Sequence, residues 1–324
     1  MRKVLIIGKI PLPIGGVTIH VSRLIEQLKQ RKFEQFTLCD LGREKPYDII
    51  VKILKYKTIH LHISNPFYQL LFAAFCKLTG KKLLITYHGN WGRYWLAGNC
   101  AVNMSAFLSF TPIVQNEESF RRARRWNRHV RQISTYIRGS PSIPLSKGTY
   151  LRLARFTENY QTIFSTNAWN LKFDRNECEI YGILAIIRSM QDGSGLALIV
   201  SDPSGHYARF AQDNLEKIPD NVCFISEPHD FRNVLEFSDA FIRNTTTDGV
   251  SLSIYEAMES NVVILASDSV HRPAFCKVFQ DISRIDWLDE LAAGREKLDL
   301  HARKALLPDV VAELTAVYRQ CLGG

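Results

Sequence analysis

Between Phe241 and Asp268 the chain reads FIRNTTTDGVSLSIYEAMESNVVILASD, and this stretch narrows the possible folds most. Ala240 to Arg243 is a short apolar run ending in a cation, and Thr245 to Gly249 form a polar loop. Ser251 stands where it can cap a helix carrying Leu252, Ile254, Tyr255, Ala257 and Met258. Val262 to Ala266 is then a near-continuous apolar run, the pattern of a strand buried on both faces. A strand, a helix and a second such strand in so short a span make a βαβ unit, and therefore a parallel sheet.

That reading places two acids, Asp248 and Glu256, at the loop–helix junction. Ligands of open α/β sheets bind beyond the carboxyl ends of the strands. Asp248 falls at that edge, and Glu256 about two turns into the helix. The amides of Gly249, Val250 and Ser251 open the helix and suit anionic groups, with Leu252 following them. Carboxylates accept from sugar hydroxyls and amides hold phosphate, so the combination suits a nucleotide sugar.

The phrase Asp248-GVSLSIY-Glu256-Ala257-Met258 resembles the signature of glycosyltransferase family four, retaining enzymes of the GT-B fold. Their pattern is Glu, seven residues, Glu, then Ala-Met and a strand, so here the first acid is shortened to Asp. With SDSVHRP following it, the segment is similar to a bacterial branch that builds surface polysaccharides such as O-antigen or capsule. The resemblance implies two Rossmann-like α/β domains, with the terminal helix crossing back to the first.

The rest of the chain fits that expectation. At 324 residues with 46% hydrophobic side chains it suits two domains, 1–150 and 151–324. Strands are predicted at Lys3 to Lys9, Phe36 to Asp40, Ile59 to Ile63, Leu83 to Tyr87, Thr111 to Gln115 and Val130 to Ile137. Helices are predicted at Val17 to Arg31 and Pro66 to Leu78. After a linker at Gly139 to Thr149, strands recur at Ile163 to Asn167, Leu196 to Ser201, Val222 to Ser226, Ala240 to Arg243 and Val262 to Ala266. A final helix is expected over His301 to Leu322, its part from about 305 onward packing on the first domain.

No apolar run reaches transmembrane length. The N-terminal apolar run is only Val4 to Ile7, with no small-residue cleavage site after it, so it reads as a first strand rather than a signal peptide. Seven scattered cysteines with no C-x-x-C pair argue for a reducing cytoplasm and against a disulfide framework or zinc site.

Charge is divided unevenly. Residues 1–150 hold 24 Lys+Arg against 7 Asp+Glu, while 151–324 hold 17 against 25. A basic half suggests an anionic partner. Asn116 to Ile133 carries Arg121, Arg122, Arg124, Arg125, Arg128 and Arg131. Asn116 suits a helix cap, with Phe120, Ala123 and Val130 on one face. The segment reads either as a solvated helix or as a contact for acidic lipid headgroups or a lipid-diphosphate acceptor. No nucleic-acid motif accompanies the charge.

Three further places bear on the site. Gly15 and Gly16 follow the first strand, and glycines there allow close ligand approach and unusual dihedrals. The resemblance implies that they face the donor diphosphate. His88 ends the Leu83 strand, where the family carries a His-Gly facing the reacting sugar. His20, His60 and His62 are alternative metal candidates, although nothing in their spacing requires a metal.

The family's Arg and Lys, which neutralise the leaving diphosphate, fall on Asn170 and Tyr181 here. Lys172, Arg175 and Arg243 are the nearby substitutes, Lys172 foremost. Neutralising a departing diphosphate is usually a large catalytic term.

The expectation is thus a retaining glycosyltransferase at the cytoplasmic membrane face. It would move a sugar from a nucleoside diphosphate to a lipid-linked glycan without cofactor or metal. His88, Asp248 and Lys172 would carry the chemistry, and Glu256 would bind ribose. A catalytically weak GT-B scaffold for a partner transferase is the alternative, and a nucleotide-sugar epimerase on the same fold stands behind it.

Overall fold

The computed structural model describes residues 3–11, 15–139, 143–174, 176–190, 195–301 and 307–323. Apolar strands alternate with helices throughout, and the chain divides into two units.

The first unit comprises residues 1–139 and 308–324. In chain order its elements are β1 Val4–Gly8, α1 Gly16–Gln30, β2 Phe36–Asp40, α2 Pro46–Lys55, β3 Thr58–Leu61, α3 Pro66–Leu78, β4 Lys82–Thr86, α4 Leu96–Leu108, β5 Thr111–Val114, α5 Glu117–Arg124 and β6 Arg131–Gln132. All pairings are parallel, in the order β2-β1-β3-β4-β5-β6. Strand order therefore reverses between β1 and β3.

The second unit covers 140–307. It contains α6 Lys147–Thr157, β7 Thr162–Asn167, α7 Ile183–Ser189, β8 Leu196–Ser201, α8 His206–Asn214, β9 Val222–Ile225, α9 Arg232–Leu235, β10 Ala240–Arg243, α10 Leu252–Glu259, β11 Val263–Ser267, β12 Lys277–Phe279 and α11 Trp287–His301. Its sheet runs β12-β11-β10-β7-β8-β9, again parallel, and reverses between β7 and β10. Fully buried Leu198, Ile199 and Val200 of β8, with Ile264 and Leu265 of β11, show why these strands read as continuous apolar runs.

The last helix, α12 Val310–Gly323, belongs to the first unit, as expected of a terminal helix that crosses back. Its Val310, Val311, Leu314, Val317 and Tyr318 pack with Val21, Leu24 and Leu28 of α1 over Val4, Ile6 and Leu84. An ion pair from Arg31 to Asp309, 2.8 Å, lies near its start. Residues 302–306 of the predicted final helix lie outside the described residues, and what is seen is α11 ending at His301 and α12 starting at Val310.

Two other segments differ from expectation. The strand predicted over Val130 to Ile137 shrinks to Arg131–Gln132. Ile133, Tyr136 and Ile137 are buried all the same, as irregular chain. Val130 likewise lies beyond α5, which ends at Arg124, so it shares no helix face with Phe120 and Ala123.

Candidate functional site

In the second unit the reversal of strand order puts the ends of β7 and β10 side by side, the position where open α/β sheets take ligands. Asn167 ends β7 and Arg243 ends β10. Arg243 donates through Nε to Asp248 Oδ2 at 2.9 Å and through Nη2 to Oδ1 at 3.2 Å. Its Nη1 reaches Asn167 Oδ1 at 3.3 Å, and its guanidinium lies 5.0 Å over the Tyr181 ring. Arg272 donates to Asp248 Oδ2 at 3.2 Å, to Thr245 Oγ1 at 2.9 Å and to Ser267 O at 2.9 Å.

Asp248 is therefore held between two buried guanidiniums. Burial works against the charge on Arg243, but Asp248 and Tyr181 together outweigh it and the pKa ends above the ordinary value. For Arg272 burial wins and the pKa ends lower, although it too faces Asp248. The difference follows the geometry, since Arg243 has two bonds to the carboxylate and Tyr181 beside it, while Arg272 has one such bond.

The loop carrying Asp248 is stitched to the 180–182 turn. Thr246 N donates to Ile180 O at 2.9 Å, and Asn244 Nδ2 to Gly182 O at 3.2 Å. Gly182 has φ +56, and a Cβ there would lie 2.8 Å from Asn244 O, so only glycine suits this turn.

Ser251 occupies the N-cap position of α10 with extended backbone, yet its side chain makes no cap bond. The hydroxyl is buried and has no hydrogen-bond partner. This departs from the expected cap and leaves a polar atom at the head of the helix for a ligand. Ser253, in the first turn, is taken up by Asn167 Nδ2 at 2.7 Å. Glu256 is buried on α10, one turn after Leu252.

The residues aligned with the family's cations are otherwise engaged. Asn170 Oδ1 bonds His206 Nδ1 at 2.5 Å, and Tyr181 lies under Arg243. Lys172 Nζ sits 4.5 Å over the Trp169 ring. Arg175 lies outside the described residues. Arg272 was missed in the sequence: it lies 24 positions beyond Asp248, and its only signal was its place in SDSVHRP.

In the first unit the corresponding reversal lies between β1 and β3, and imidazoles gather there. His60 and His62, two apart on β3 and its extension, face one side of the sheet, as do Thr86 and His88 next to them. His60 Nε2 meets Thr86 Oγ1 at 2.8 Å, and His60 Nδ1 meets Tyr318 Oη at 2.6 Å. His62 Nδ1 lies 3.1 Å from His88 Nε2, and its Nε2 3.3 Å from His60 Nδ1. His20 on α1 donates from Nδ1 to Thr135 O at 2.7 Å.

Gly8 makes this approach possible, because a Cβ there would meet Val21 at 3.0 Å and His62 Cβ at 3.3 Å. Burial lowers the His20 pKa to about 4 and that of His60 to about 3, and holds His62 and His88 well below the usual value. All four are neutral at pH 7.

Gly15 and Gly16 open α1 nearby, but Gly15 has φ −175, extended backbone that any residue adopts. Among the described residues, no side chain or backbone lies within 4 Å of a Cβ at either position. The expectation of unusual dihedrals is thus corrected for Gly15 and Gly16. Residues 12–14 of the same loop lie outside the described residues.

Asn116 caps α5 as expected, accepting from Ser119 N at 2.9 Å. Arg121 pairs with Glu117 at 2.9 Å and Arg122 with Glu118 at 2.7 Å, both on the surface, while Arg124 lies 5.9 Å over Phe120. Arg122, Arg125 and Trp126 line a surface pocket with Trp91, Asn99 and Asn103. Arg128 is exposed in the turn that follows.

No protein-family model matches the chain, and no curated protein matches it in sequence. Solved structures do. Anabaena Alr3699/HepE in complex with UDP-glucose superposes with a TM-score of 0.68 at 11% identity, covering 99% of both chains. Sucrose-phosphate synthase from Thermosynechococcus elongatus gives 0.68 at 14% identity over 99% of this chain and 100% of that one. WaaG, a glycosyltransferase of lipopolysaccharide biosynthesis, gives 0.65 at 12% identity with 99% and 100% covered. The chain has the GT-B fold. Identities this low carry the architecture, two Rossmann-like units, and leave activity to the residues.

Proposed function

We propose that the protein is a retaining glycosyltransferase that moves a sugar from a nucleoside-diphosphate donor to a lipid-linked surface glycan. The observation that carries this reading is the constellation at the β7–β10 reversal. Two buried arginines share one carboxylate, so this cluster retains net positive charge beside the head of α10. A departing diphosphate needs such preorganised charge. The unpartnered Ser251 hydroxyl and the first amides of α10 supply donors for the same anion.

In this reading Arg243 and Arg272 take over the neutralising role first assigned to Lys172. Asp248 orients them and keeps its assigned place at the sugar hydroxyls. Glu256 receives the ribose, and His88 remains the candidate for a sugar or acceptor hydroxyl. The acceptor proton passes to the leaving phosphate oxygen, with retention as the family resemblance implies. No step uses a metal ion. HepE, solved with UDP and with UDP-glucose, makes uridine donors the first class to test.

The first unit supplies support for a membrane-side acceptor. Among the described residues no helix is long and apolar enough to cross a membrane. However, α3 and α4 expose Phe67, Tyr68, Leu71 (62%) and Leu78 (88%), with Trp95 (67%) and Leu96 (84%) at the start of α4. Exposed aromatic and aliphatic side chains, together with the arginines of α5, suit an anionic lipid surface at the cytoplasmic face.

A thermal-shift panel of UDP-, GDP-, ADP- and dTDP-sugars, repeated on Glu256→Ala, tests the donor site. One nucleotide class should stabilise the native protein and not the variant. Absence of any shift would refute the reading. The scaffold alternative rests on Asn170 and Tyr181 standing where the family has cations, and turnover of a nucleotide sugar by the purified chain would exclude it.

A further inference from the structure

Three imidazoles from three different elements converge at the β1–β3 reversal: His20 from α1, His62 after β3 and His88 after β4. Their ring centroids form a nearly equilateral triangle, 5.1 Å for His20–His62, 5.0 Å for His20–His88 and 5.3 Å for His62–His88. One nitrogen from each lies within 4.8 Å of the others. Imidazoles bound tetrahedrally at about 2.0–2.1 Å put ring centroids roughly 5.2 Å apart and nitrogens roughly 3.3 Å apart. The rings are therefore already at ligand spacing, and small side-chain rotations close the nitrogens.

Hydrogen bonding leaves the right lone pairs available. His20 gives its Nδ1 proton to Thr135 O, so Nε2 carries a lone pair, and that atom is buried with no hydrogen-bond partner. A histidine whose other nitrogen donates to a backbone carbonyl is the usual arrangement of a metal ligand. His62 Nε2 faces His60 Nδ1, and His60 Nε2 faces Thr86 Oγ1. With protons on both Nε2 atoms, His60 Nδ1 is the acceptor shared by His62 and the Tyr318 hydroxyl. His62 Nδ1 presents its lone pair toward His88 Nε2, 3.1 Å away, and the His88 proton shifts to its own Nδ1 when a metal binds. His88 is the one half-buried member and gives access from solvent.

We propose that His20, His62 and His88 bind a borderline divalent transition-metal ion, with zinc as the type, through three imidazole nitrogens and an open fourth position. Imidazole donors suit Zn, Cu and Ni rather than Mg or Ca. Arg23 and Arg93 lie near His20 and His88 and oppose added positive charge. An anionic fourth ligand, hydroxide or an oxyanion, therefore completes the site best. His88 is shared with the proposed sugar site, but metal binding is read on the protein without a nucleotide sugar, so its failure and that of the transfer reading are distinguishable.

The test uses untagged, chelator-treated full-length protein titrated with Co2+ and then Zn2+. One equivalent of cobalt should give the visible bands of a four- or five-coordinate ion, displaced by zinc. His20→Ala and His62→Ala should each weaken binding roughly tenfold or more, while the exposed His129→Ala and His271→Ala leave it unchanged. An aqua-like octahedral cobalt spectrum from the native protein, which needs no variant to fold, overturns the proposal. So does full-strength binding in folded His20→Ala and His62→Ala proteins.

Discussion

Replacing Asp248 by Asn keeps the shape of the side chain and removes its charge, and the two arginines facing it make the consequence large. Arg243 and Arg272 are 9% and 8% exposed, with Nε–Oδ2 and Nη1–Oδ2 distances of 2.9 and 3.2 Å. At an effective dielectric near 20, a pair of unit charges about 4 Å apart is worth about 4 kcal/mol. Two such attractions vanish, and the repulsion between the arginines is no longer offset. Water entry and side-chain relaxation recover part of this, and breaking buried ion pairs in practice costs about 3–5 kcal/mol. For a unit of this size that corresponds to a fall in melting temperature of roughly 6–20 °C. Urea and thermal unfolding of the ligand-free protein measure it, with exposed Asp268→Asn as the control expected within about 0.5 kcal/mol of wild type. Adding Arg272→Met to Asp248→Asn should restore some stability, a coupling on the order of 1 kcal/mol or more. A loss below about 1 kcal/mol for Asp248→Asn would refute the argument that this carboxylate neutralises the pair.

Four other outcomes follow from the same geometry. Ser251→Ala removes a buried hydroxyl that has no partner, so unliganded stability should hold or rise by up to about 1 kcal/mol, while donor-induced stabilisation in the thermal-shift panel drops. Donor at 100 times its dissociation constant should stabilise the native protein by about 2.7 kcal/mol, and Glu256→Ala should abolish that gain in the same measurement. Burial lowers the His229 pKa below its unfolded value, so the unfolded chain binds a proton first and stability falls as pH drops below about 6.5; His229→Gln should reduce the slope of the urea midpoint between pH 7.5 and 5, the buried His20, His60, His62 and His88 supplying the rest. Vesicle co-sedimentation with anionic lipid should weaken for Leu71→Ser with Leu78→Ser, and Arg121→Gln with Arg124→Gln should lose about 1 kcal/mol per arginine, whereas undiminished binding in both would separate the surface from membranes.

Much of the fold was legible because buried parallel strands write themselves as apolar runs. Phe36–Asp40, Leu196–Ser201 and Ala240–Arg243 fall where the pattern puts them, as does α3, whose Asn65 cap accepts from Phe67 N and Tyr68 N. Helix α2 was legible but not predicted: Tyr47, Ile50, Val51 and Leu54 keep helical spacing, and what the sequence does not show is that this stripe is exposed and only Ile53 is buried. Strand β12 has three residues at a sheet edge, too few to show a period. In the candidate site, Asp248 and Glu256 are proposed from local spacing. Arg272 and the His20–His62–His88 cluster are not legible there, since both depend on crossovers that join distant segments; of the histidines weighed as metal candidates, the structure groups His20 and His62 with His88.

The two units use one topological device with opposite chemistry. Each sheet reverses its strand order once near its middle, and each reversal collects the polar side chains that a parallel sheet otherwise keeps out of its interior. In the second unit the collected groups carry permanent charge, two guanidiniums against one carboxylate, an arrangement suited to holding an anion through a change in its charge. In the first they are imidazoles kept neutral by burial, groups that present lone pairs or single protons and no net charge. A donor diphosphate matches the former and not the latter. Neutral imidazoles instead match hydroxyl groups or a borderline cation, so the proposed function assigns the donor to the second unit and an uncharged sugar or acceptor to His88. Exchanging the chemistries, with His62→Arg in the first unit, should therefore not create a second diphosphate site: the new cation would face neutral rings with no carboxylate to anchor it, and the expected result is loss of stability without any gain in nucleotide binding.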